Sequence, residues 1–118
     1  MNSLLSKRES SPIRLIIADD HALLREGLKA LLTLEPDLLV TGEVAAADDL
    51  LPTLKTTPCD VLILDLKMDR LVLDEVEALS SLTKVLVLTG SERVTDAFSA
   101  LRAVVVSLIR SARSYRMP

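Results

Sequence analysis

The chain has 118 residues, enough for one domain with a single core, and its 49% hydrophobic content with one tyrosine, one phenylalanine and no tryptophan predicts that this core is aliphatic. The net charge of −3 argues against a nucleic-acid-binding surface, which normally carries a basic excess. The single cysteine, Cys59, excludes an intrachain disulfide bond and a cysteine-cluster metal site, and it fits a reducing compartment.

The beginning of the chain is polar and contains no apolar segment typical of a signal peptide, so residues 1–12 are predicted to form a disordered leader. No apolar run approaches the roughly 18 residues that a membrane-spanning helix needs. We therefore expect a cytoplasmic protein without a membrane contact. Its domain organisation is predicted as one globular domain at residues 13–110 followed by a short tail at 111–118.

Apolar segments alternate with helical patterns along the chain. The strand candidates are continuous apolar runs, and their bounds are 13–20, 38–45, 60–68 and 84–91. The helix candidates carry apolar residues at helical spacing, and their bounds are 22–36, 47–58, 72–82 and 91–103. Strands that are apolar throughout and alternate with helices are typical of a parallel sheet covered on both faces. The sequence therefore predicts an α/β fold in three layers, with a doubly wound parallel sheet.

The last part of the chain fits either a strand or a helix. A fifth strand at residues 104–109 is favoured by three consecutive valines, because β-branched residues lose rotamer freedom in helices. One continuous helix over residues 94–115 stays open, because apolar residues there also follow helical spacing. The tail is too short and too polar to supply a fifth helix, so we expect apolar surface to be exposed. Such surface predicts low monomer stability and favours a homodimer.

Polar residues lie toward the carboxyl ends of three of the predicted strands. Asp19 and Asp20 end the first strand candidate, Asp65 lies late in the third, and Thr89 lies near the end of the fourth. Ligands of open α/β sheets bind at the carboxyl ends of the strands, where these side chains would meet if the strands are neighbours. Carboxylates are ligands that Mg²⁺ prefers, and a carboxylate can also attack phosphorus. The pattern predicts an Mg²⁺ site that handles phosphate, although the acid pair could instead cap a helix.

Three segments, taken together and in order, resemble one known family. They are "IRLIIADDHALLREGLKALL" at 13–32, "DVLILDLKM" at 60–68 and "KVLVLTGS" at 84–91. Their pattern is similar to the CheY-like receiver domain of response regulators, and most of all to the NarL/FixJ branch of the LuxR class. This resemblance implies a flavodoxin-like fold with a five-stranded parallel sheet and five helices.

The resemblance also implies a role for each matching residue. Asp65 would accept a phosphoryl group from a histidine kinase in a two-component phosphorelay. Asp19 and Asp20 would hold Mg²⁺ together with Asp65 and the backbone carbonyl of Lys67, and Thr89 would be the switch residue that signals activation. A receiver of this kind is not an enzyme. Because no DNA-binding output domain is present, we expect no nucleic-acid contact through this chain.

Departures from the family pattern keep a second interpretation open. Neither the usual proline nor a glycine follows Met68, and Asp69 adds a fourth acid that could bind the metal or increase the charge repulsion. No lysine follows Lys84, so Arg110 is the nearest replacement for the lysine that pairs with phosphate in this family. The alternative is a degenerate pseudo-receiver or truncated relic, which binds a partner or dimerises without phosphotransfer.

A third interpretation is a small Mg²⁺-dependent phosphohydrolase. Such enzymes usually carry an Asp-x-Asp motif after a strand, but here Lys67 stands where the second acid would follow Asp65. The lysine at this position argues against a phosphohydrolase of that class. His21 is interpreted as a residue at the start of the first helix and not as a phosphorylated histidine.

Overall fold

The computed structural model describes residues 12–88 and 103. Within them the chain alternates between strands and helices as predicted, with β1 at Ile13–Ala18, α1 at Ala22–Thr33, β2 at Leu38–Val44, α2 at Leu50–Thr56, β3 at Val61–Asp65, α3 at Val76–Ser80 and β4 at Lys84–Leu88. Short 3₁₀ turns at Ala47–Asp49 and Leu73–Glu75 lead into α2 and α3. The predicted leader, fourth helix, fifth strand and tail lie outside the described residues, apart from positions 12 and 103.

The four described strands form one parallel sheet in the order β2-β1-β3-β4. The prediction of a parallel sheet is confirmed, and its physical basis is visible in β3. All five side chains of this strand are buried, which is the pattern of a strand covered on both faces. The order of the strands makes β1 and β3 direct neighbours at the middle of the sheet, with their carboxyl ends side by side.

Helices cover both faces of the sheet, so the predicted three-layer architecture is confirmed. On one face α1 packs its buried Leu28 and Leu32 against alternate residues of β1 and β3. On the other face α2 and α3 contribute the buried Leu50 and Leu79 to a second aliphatic cluster. The described core contains no aromatic side chain, as the composition predicts.

An extra residue in β2 changes the face to which its side chains point. The pairing of β1 with β2 runs from Ile13 opposite Leu38 to Leu15 opposite Val40, and then it shifts so that Ile16 lies opposite Gly42. Thr41 is the residue left over. Side chains alternate along a strand, so Leu38 and Val44 would share a face in a regular strand. The extra residue instead places Leu38 in the cluster under α1 and Val44 in the cluster under α2 and α3.

The helices are shorter than their predicted patterns. α1 begins after His21, which takes the N-cap position with an extended backbone, and it ends at Thr33, ahead of Pro36. The predicted helix at 47–58 begins as a 3₁₀ turn and continues as α2, with Pro52 in the first turn, where its missing N–H is not needed. Within the described residues no helix is both long enough and apolar enough to cross a bilayer.

Candidate functional site

The carboxyl ends of β1 and β3 bring three acids and one histidine into a single cluster. Asp19 follows the last residue of β1, and its backbone nitrogen donates to the carbonyl of Val44 at 3.0 Å, which holds it at the sheet edge. Asp65 is the last residue of the neighbouring β3. Asp19, Asp20, His21 and Asp65 each offer one potential ligand atom, and these atoms all lie within 4.8 Å of one another.

Two of the three carboxylates are buried. Asp19 is 1% exposed and Asp65 is 8% exposed, whereas Asp20 lies at the surface. Oδ2 of Asp19 is buried and has no hydrogen-bond partner among the described residues. A buried oxygen of an acid that lacks a donor costs free energy unless a cation or another donor satisfies it. The cluster therefore fits a cation, and its oxygen donors are of the type that Mg²⁺ prefers.

Asp65 receives one hydrogen bond from its own loop. The backbone nitrogen of Lys67 donates to Oδ1 of Asp65 at 3.0 Å. Burial raises the pKa of the Asp65 carboxyl, while the bond from Lys67 opposes that rise and the charge of Asp19 adds to it. The two carboxylate oxygens therefore differ: Oδ1 has this donor, and Oδ2 lies 3.9 Å from Nδ1 of His21.

His21 turns its ring toward the acids. Nδ1 of His21 lies 2.7 Å from Oδ1 of Asp19 and 3.0 Å from Oδ1 of Asp20. The hydrogen bond with Asp19, followed by the charges of Asp19 and Asp20, raises the pKa of the His21 imidazole. His21 lies at the start of α1, as predicted, but its membership of the cluster was not predicted. Its position directly after two acids at a strand end was the signal available.

Arg25 fixes the loop that carries the acids. Arg25 lies one turn into α1. Its Nη1 donates to the backbone carbonyl of Asp19 at 2.6 Å, and its Nε lies 3.4 Å from a carboxylate oxygen of Glu43 in β2. Nζ of Lys29 reaches the other oxygen of Glu43 at 3.0 Å. These contacts connect α1, the Asp19 backbone and β2, and none of them was predicted from the sequence.

Comparison with known proteins decides the family. Residues 15–110 match the sequence model of the response regulator receiver domain. The chain belongs to this family. It is 31% identical over 102 residues to the uncharacterized transcriptional regulatory protein YxjL of Bacillus subtilis (strain 168), an alignment that covers 82% of this chain and 46% of YxjL. Its identity to the nitrate/nitrite response regulator protein NarP of Escherichia coli (strain K12) is 31% over 99 residues, covering 80% and 46% of the two chains.

The receiver domain thus spans about half the length of the curated relatives that it matches. Solved structures agree on the fold. The receiver domain of the stress response regulator RcsB from Escherichia coli superposes with a TM-score of 0.63 at 24% identity, over 78% of this chain and 77% of that one. A LuxR-family response regulator from Aurantimonas sp. SI85-9A1 gives a TM-score of 0.69 at 18% identity, over 86% and 87%. The predicted family and its NarL-type branch are confirmed.

The loop after β3 is one place where this receiver domain departs from the family pattern. Met68 is 7% exposed and packs in the cluster under α2 and α3. Oδ1 of Asp69 accepts a hydrogen bond from the backbone nitrogen of Ala47 at 2.7 Å. Asp69 is not a member of the acidic cluster found among the described residues. Oδ1 of Asp69 therefore links two loops, and the roles of metal ligand or source of repulsion that the sequence left open for Asp69 stay predictions.

Arg70 strengthens the same link. Its guanidinium pairs with Asp48 at 3.0 Å and also with Glu75. The loop is closed further by a hydrogen bond of 3.0 Å from the backbone nitrogen of Val72 to the carbonyl of Leu66. Charged side chains and backbone bonds therefore hold this loop of the receiver domain without the usual proline or glycine.

Of the predicted site residues, the structure brings Asp19, Asp20 and Asp65 together. Lys67 presents its N–H to Asp65, and the metal-ligand role of its carbonyl stays a prediction. Thr89 and Arg110 lie outside the described residues. The switch role of Thr89 and the role of Arg110 as a replacement for the lysine therefore also stay predictions.

Proposed function

We propose that this receiver domain accepts a phosphoryl group on Asp65 from a histidine kinase in a two-component phosphorelay, with Mg²⁺ held by Asp19, Asp20 and Asp65. The observation that carries this proposal is the convergence of the three carboxylates at the ends of two neighbouring central strands. We further propose that residues 13–110 form the receiver unit, that it acts in the cytoplasm, and that it serves as a phosphoacceptor rather than as an enzyme.

The oxygen atoms available in the cluster support the binding of Mg²⁺. Three carboxylates supply oxygen ligands, and the unpartnered Oδ2 of Asp19 offers an oxygen that no described residue satisfies. The carbonyl of Lys67 is proposed as a further ligand. When bound, Mg²⁺ would neutralise charge on the oxygens of the incoming phosphoryl group.

Asp65 would act as the nucleophile through Oδ2, because its Oδ1 is occupied by the N–H of Lys67. Oδ2 would form a bond to phosphorus as the bond from phosphorus to the kinase histidine breaks, and the electron pair of that bond would stay on the histidine nitrogen. The N–H of Lys67 would keep the carboxylate oriented during this transfer. Thr89 would then bond a phosphoryl oxygen, and Arg110 would supply the positive charge that a lysine usually provides.

One observation favours the alternative function. No lysine follows Lys84 in the sequence, so the phosphate-pairing lysine of the family has no direct equivalent. A degenerate pseudo-receiver that binds a protein partner or dimerises would need no such group. The beryllofluoride titration described next separates the two functions.

The test is a titration of the full chain with beryllofluoride, a mimic of a phosphoryl group on aspartate, followed by amide NMR with and without Mg²⁺. We expect saturable, Mg²⁺-dependent shifts around Asp65 and Thr89. The variant Asp65→Asn should lose them. The matched control Asp74→Asn changes an exposed acid outside the cluster and should keep them. A folded wild-type chain that shows no Mg²⁺-dependent response would refute phosphotransfer and support the pseudo-receiver.

A further inference from the structure

The peptide group between Asp19 and Asp20 joins two of the proposed metal ligands. Its carbonyl oxygen belongs to Asp19, and Nη1 of Arg25 donates to this oxygen at 2.6 Å. A peptide group is planar, so a bond that fixes its carbonyl also fixes the direction in which the backbone leaves Asp19 and enters Asp20. Arg25 therefore acts on both acids through the backbone that connects them.

Other polar groups of Asp19 are fixed as well. Its backbone nitrogen donates to the carbonyl of Val44 at 3.0 Å, and its Oδ1 accepts from the backbone nitrogen of His21 at 2.8 Å. Oδ2 is buried and has no hydrogen-bond partner in the part of the chain that the structure describes. The bond from Arg25 thus belongs to a set that holds Asp19 in place and leaves Oδ2 free for a cation.

Arg25 is itself held between α1 and β2. Its backbone nitrogen donates to the carbonyl of His21 at 3.0 Å in the first turn of α1, and its Nε lies 3.4 Å from an oxygen of Glu43. Glu43 directly precedes Val44, whose carbonyl receives the N–H of Asp19. The guanidinium therefore closes a ring of contacts that ties the exit of β1 to the end of β2. Its side chain is only 17% exposed, so water has little access to these contacts.

The charge of Arg25, taken alone, opposes the binding of a metal ion. A guanidinium beside the acid pair repels an incoming cation, and it also lies at the positive end of the helix macrodipole of α1. The hydrogen bond to the Asp19 carbonyl acts in the other direction, because residues that orient metal ligands typically contribute about 10- to 100-fold to metal affinity. The two effects have opposite signs, so removal of the side chain shows which of them is larger.

We infer that Arg25 is a positioning residue for the metal site: it orders the peptide between Asp19 and Asp20 so that their carboxylates face the ion, and this ordering outweighs the repulsion from its charge. The inference rests on the proposed function, because it concerns the same acidic site and the same Mg²⁺. It gives Arg25 a role that its ion pair with Glu43 does not explain.

The test measures the Mg²⁺ affinity of the full chain by following amide NMR shifts during titration with MgCl₂. The variant Arg25→Met removes the charge and the donors but keeps a long, unbranched side chain that favours a helix. We expect the dissociation constant for Mg²⁺ to rise by at least about tenfold. Urea denaturation in chelator shows whether the variant is folded.

A matched control is available one turn further along α1. Nζ of Lys29 lies 3.0 Å from the other oxygen of Glu43, so Lys29→Met makes the same substitution on the same helix face and removes the other cation of that acid. It should leave the Mg²⁺ affinity unchanged. The amide nitrogen of Asp20 belongs to the same peptide as the Asp19 carbonyl. Its chemical shift in the metal-free protein should therefore change in Arg25→Met and stay the same in Lys29→Met.

Mg²⁺ binding by folded Arg25→Met that is as tight as in the wild type, or tighter, would overturn the inference. A second variant, Arg25→Lys, separates position from charge. Lysine keeps the charge, but its single nitrogen cannot make both contacts of the guanidinium, so this variant should also bind Mg²⁺ more weakly than the wild type. If Arg25→Met does not fold, Arg25→Lys supplies the test, and an unchanged or higher affinity again overturns the inference.

Failure of the inference and failure of the proposed function give different results. If Mg²⁺ binding is lost in Asp65→Asn but does not depend on Arg25, the acidic site stands and the inference alone falls. If the folded wild-type chain binds no Mg²⁺, both fall.

Discussion

The backbone nitrogen of Ala47 donates a 2.7 Å hydrogen bond to Oδ1 of Asp69, which lies 22 positions further along the chain. Ala47 begins the 3₁₀ turn before α2, and Asp69 lies in the loop after the proposed phosphoacceptor Asp65. An acid from one loop therefore satisfies a free N–H at the start of a helical segment that has no side-chain cap of its own. The unusual sequence after Met68 thus has a structural role that is separate from metal binding.

The variant Asp69→Ala should destabilise the fold by about 1 kcal/mol, the usual cost of losing a side chain that caps a helical segment. Asp69→Asn keeps an oxygen acceptor and should cost less. Urea denaturation followed by circular dichroism measures both. Asp74→Ala, at another exposed acid, serves as the control. Equal stability of Asp69→Ala and the wild type would show that the hydrogen bond to Ala47 makes no net contribution.

The variant Asp65→Asn should raise the stability of the metal-free protein at neutral pH. Burial raises the pKa of this carboxyl in the folded state, so the folded state holds the proton more tightly than the unfolded state does. Stability is therefore lost as the pH rises from the unfolded pKa through the folded pKa, and the amide avoids this loss.

Denaturation midpoints measured in chelator at neutral pH and at a pH below about 3.9, the ordinary pKa of aspartic acid, test this sign. The advantage of Asp65→Asn should shrink at the lower pH. A variant less stable than the wild type at neutral pH would indicate that the charged form is stabilised by its surroundings, contrary to the direction of the pKa shift.

The imidazole of His21 should titrate above its ordinary pKa of about 6.5 in the metal-free protein, because its hydrogen bond with Asp19 favours the charged form. This pair stabilises the fold at low pH, and the stabilisation is lost as the pH rises through the folded pKa of His21. The chain has one histidine, so its ring proton resonances can be followed without assignment.

Asp19→Asn should move the pKa of His21 back toward the ordinary value, and the neighbouring Asp20→Asn should move it less, because Asp19 supplies the largest contribution. A pKa of His21 at or below the ordinary value in the wild type would contradict the contact seen between the ring and the acids. So would an equal effect of the two substitutions.

Leu28→Ala should cost about 2–5 kcal/mol, because it removes buried methyl groups and leaves a cavity under α1. Leu28 is 1% exposed, whereas Leu23 on the same helix is 87% exposed. Leu23→Ala is therefore the matched control and should change stability by no more than about 0.5 kcal/mol. Comparable losses from both substitutions, measured by chemical denaturation, would mean that the face of α1 that packs on the sheet has been assigned wrongly.

Much of the fold could be predicted because its signals are local. A fully buried parallel strand reads as a continuous apolar run, and β3 is such a strand. The predictions overran at strand ends: the run 13–20 ends as a strand at Ala18, and the run 60–68 ends at Asp65. In both cases the chain leaves the sheet at a carboxylate, since β1 ends just before Asp19 and β3 ends at Asp65, and the predicted bounds extended past these acids.

The convergence of Asp19 and Asp65 was predictable once their strands were assumed to be neighbours, since carboxyl ends of parallel strands meet at one edge. The contact of Asp69 with Ala47 was not predictable, because nothing in the local sequence of either loop identifies the other as its partner. The ring of His21 was missed for a related reason. Its assignment as a helix start was right, but a side-chain direction at an N-cap does not follow from residue type.

Thr41 is an extra residue in β2, with no paired residue in β1. Its hydroxyl lies 3.3 Å from the carbonyl oxygens of Leu15 and Pro58, so the surplus residue is accommodated at the edge of the sheet. Deleting this one residue would restore a regular ladder and leave Val44 opposite Ala18 in its present layer, because Leu38 and Val44 would then be five positions apart. During divergence, a one-residue deletion at this position would therefore need no change in which downstream positions of β2 are apolar, whereas a deletion further along the strand, with Thr41 kept, would shift the residues after it to the opposite face.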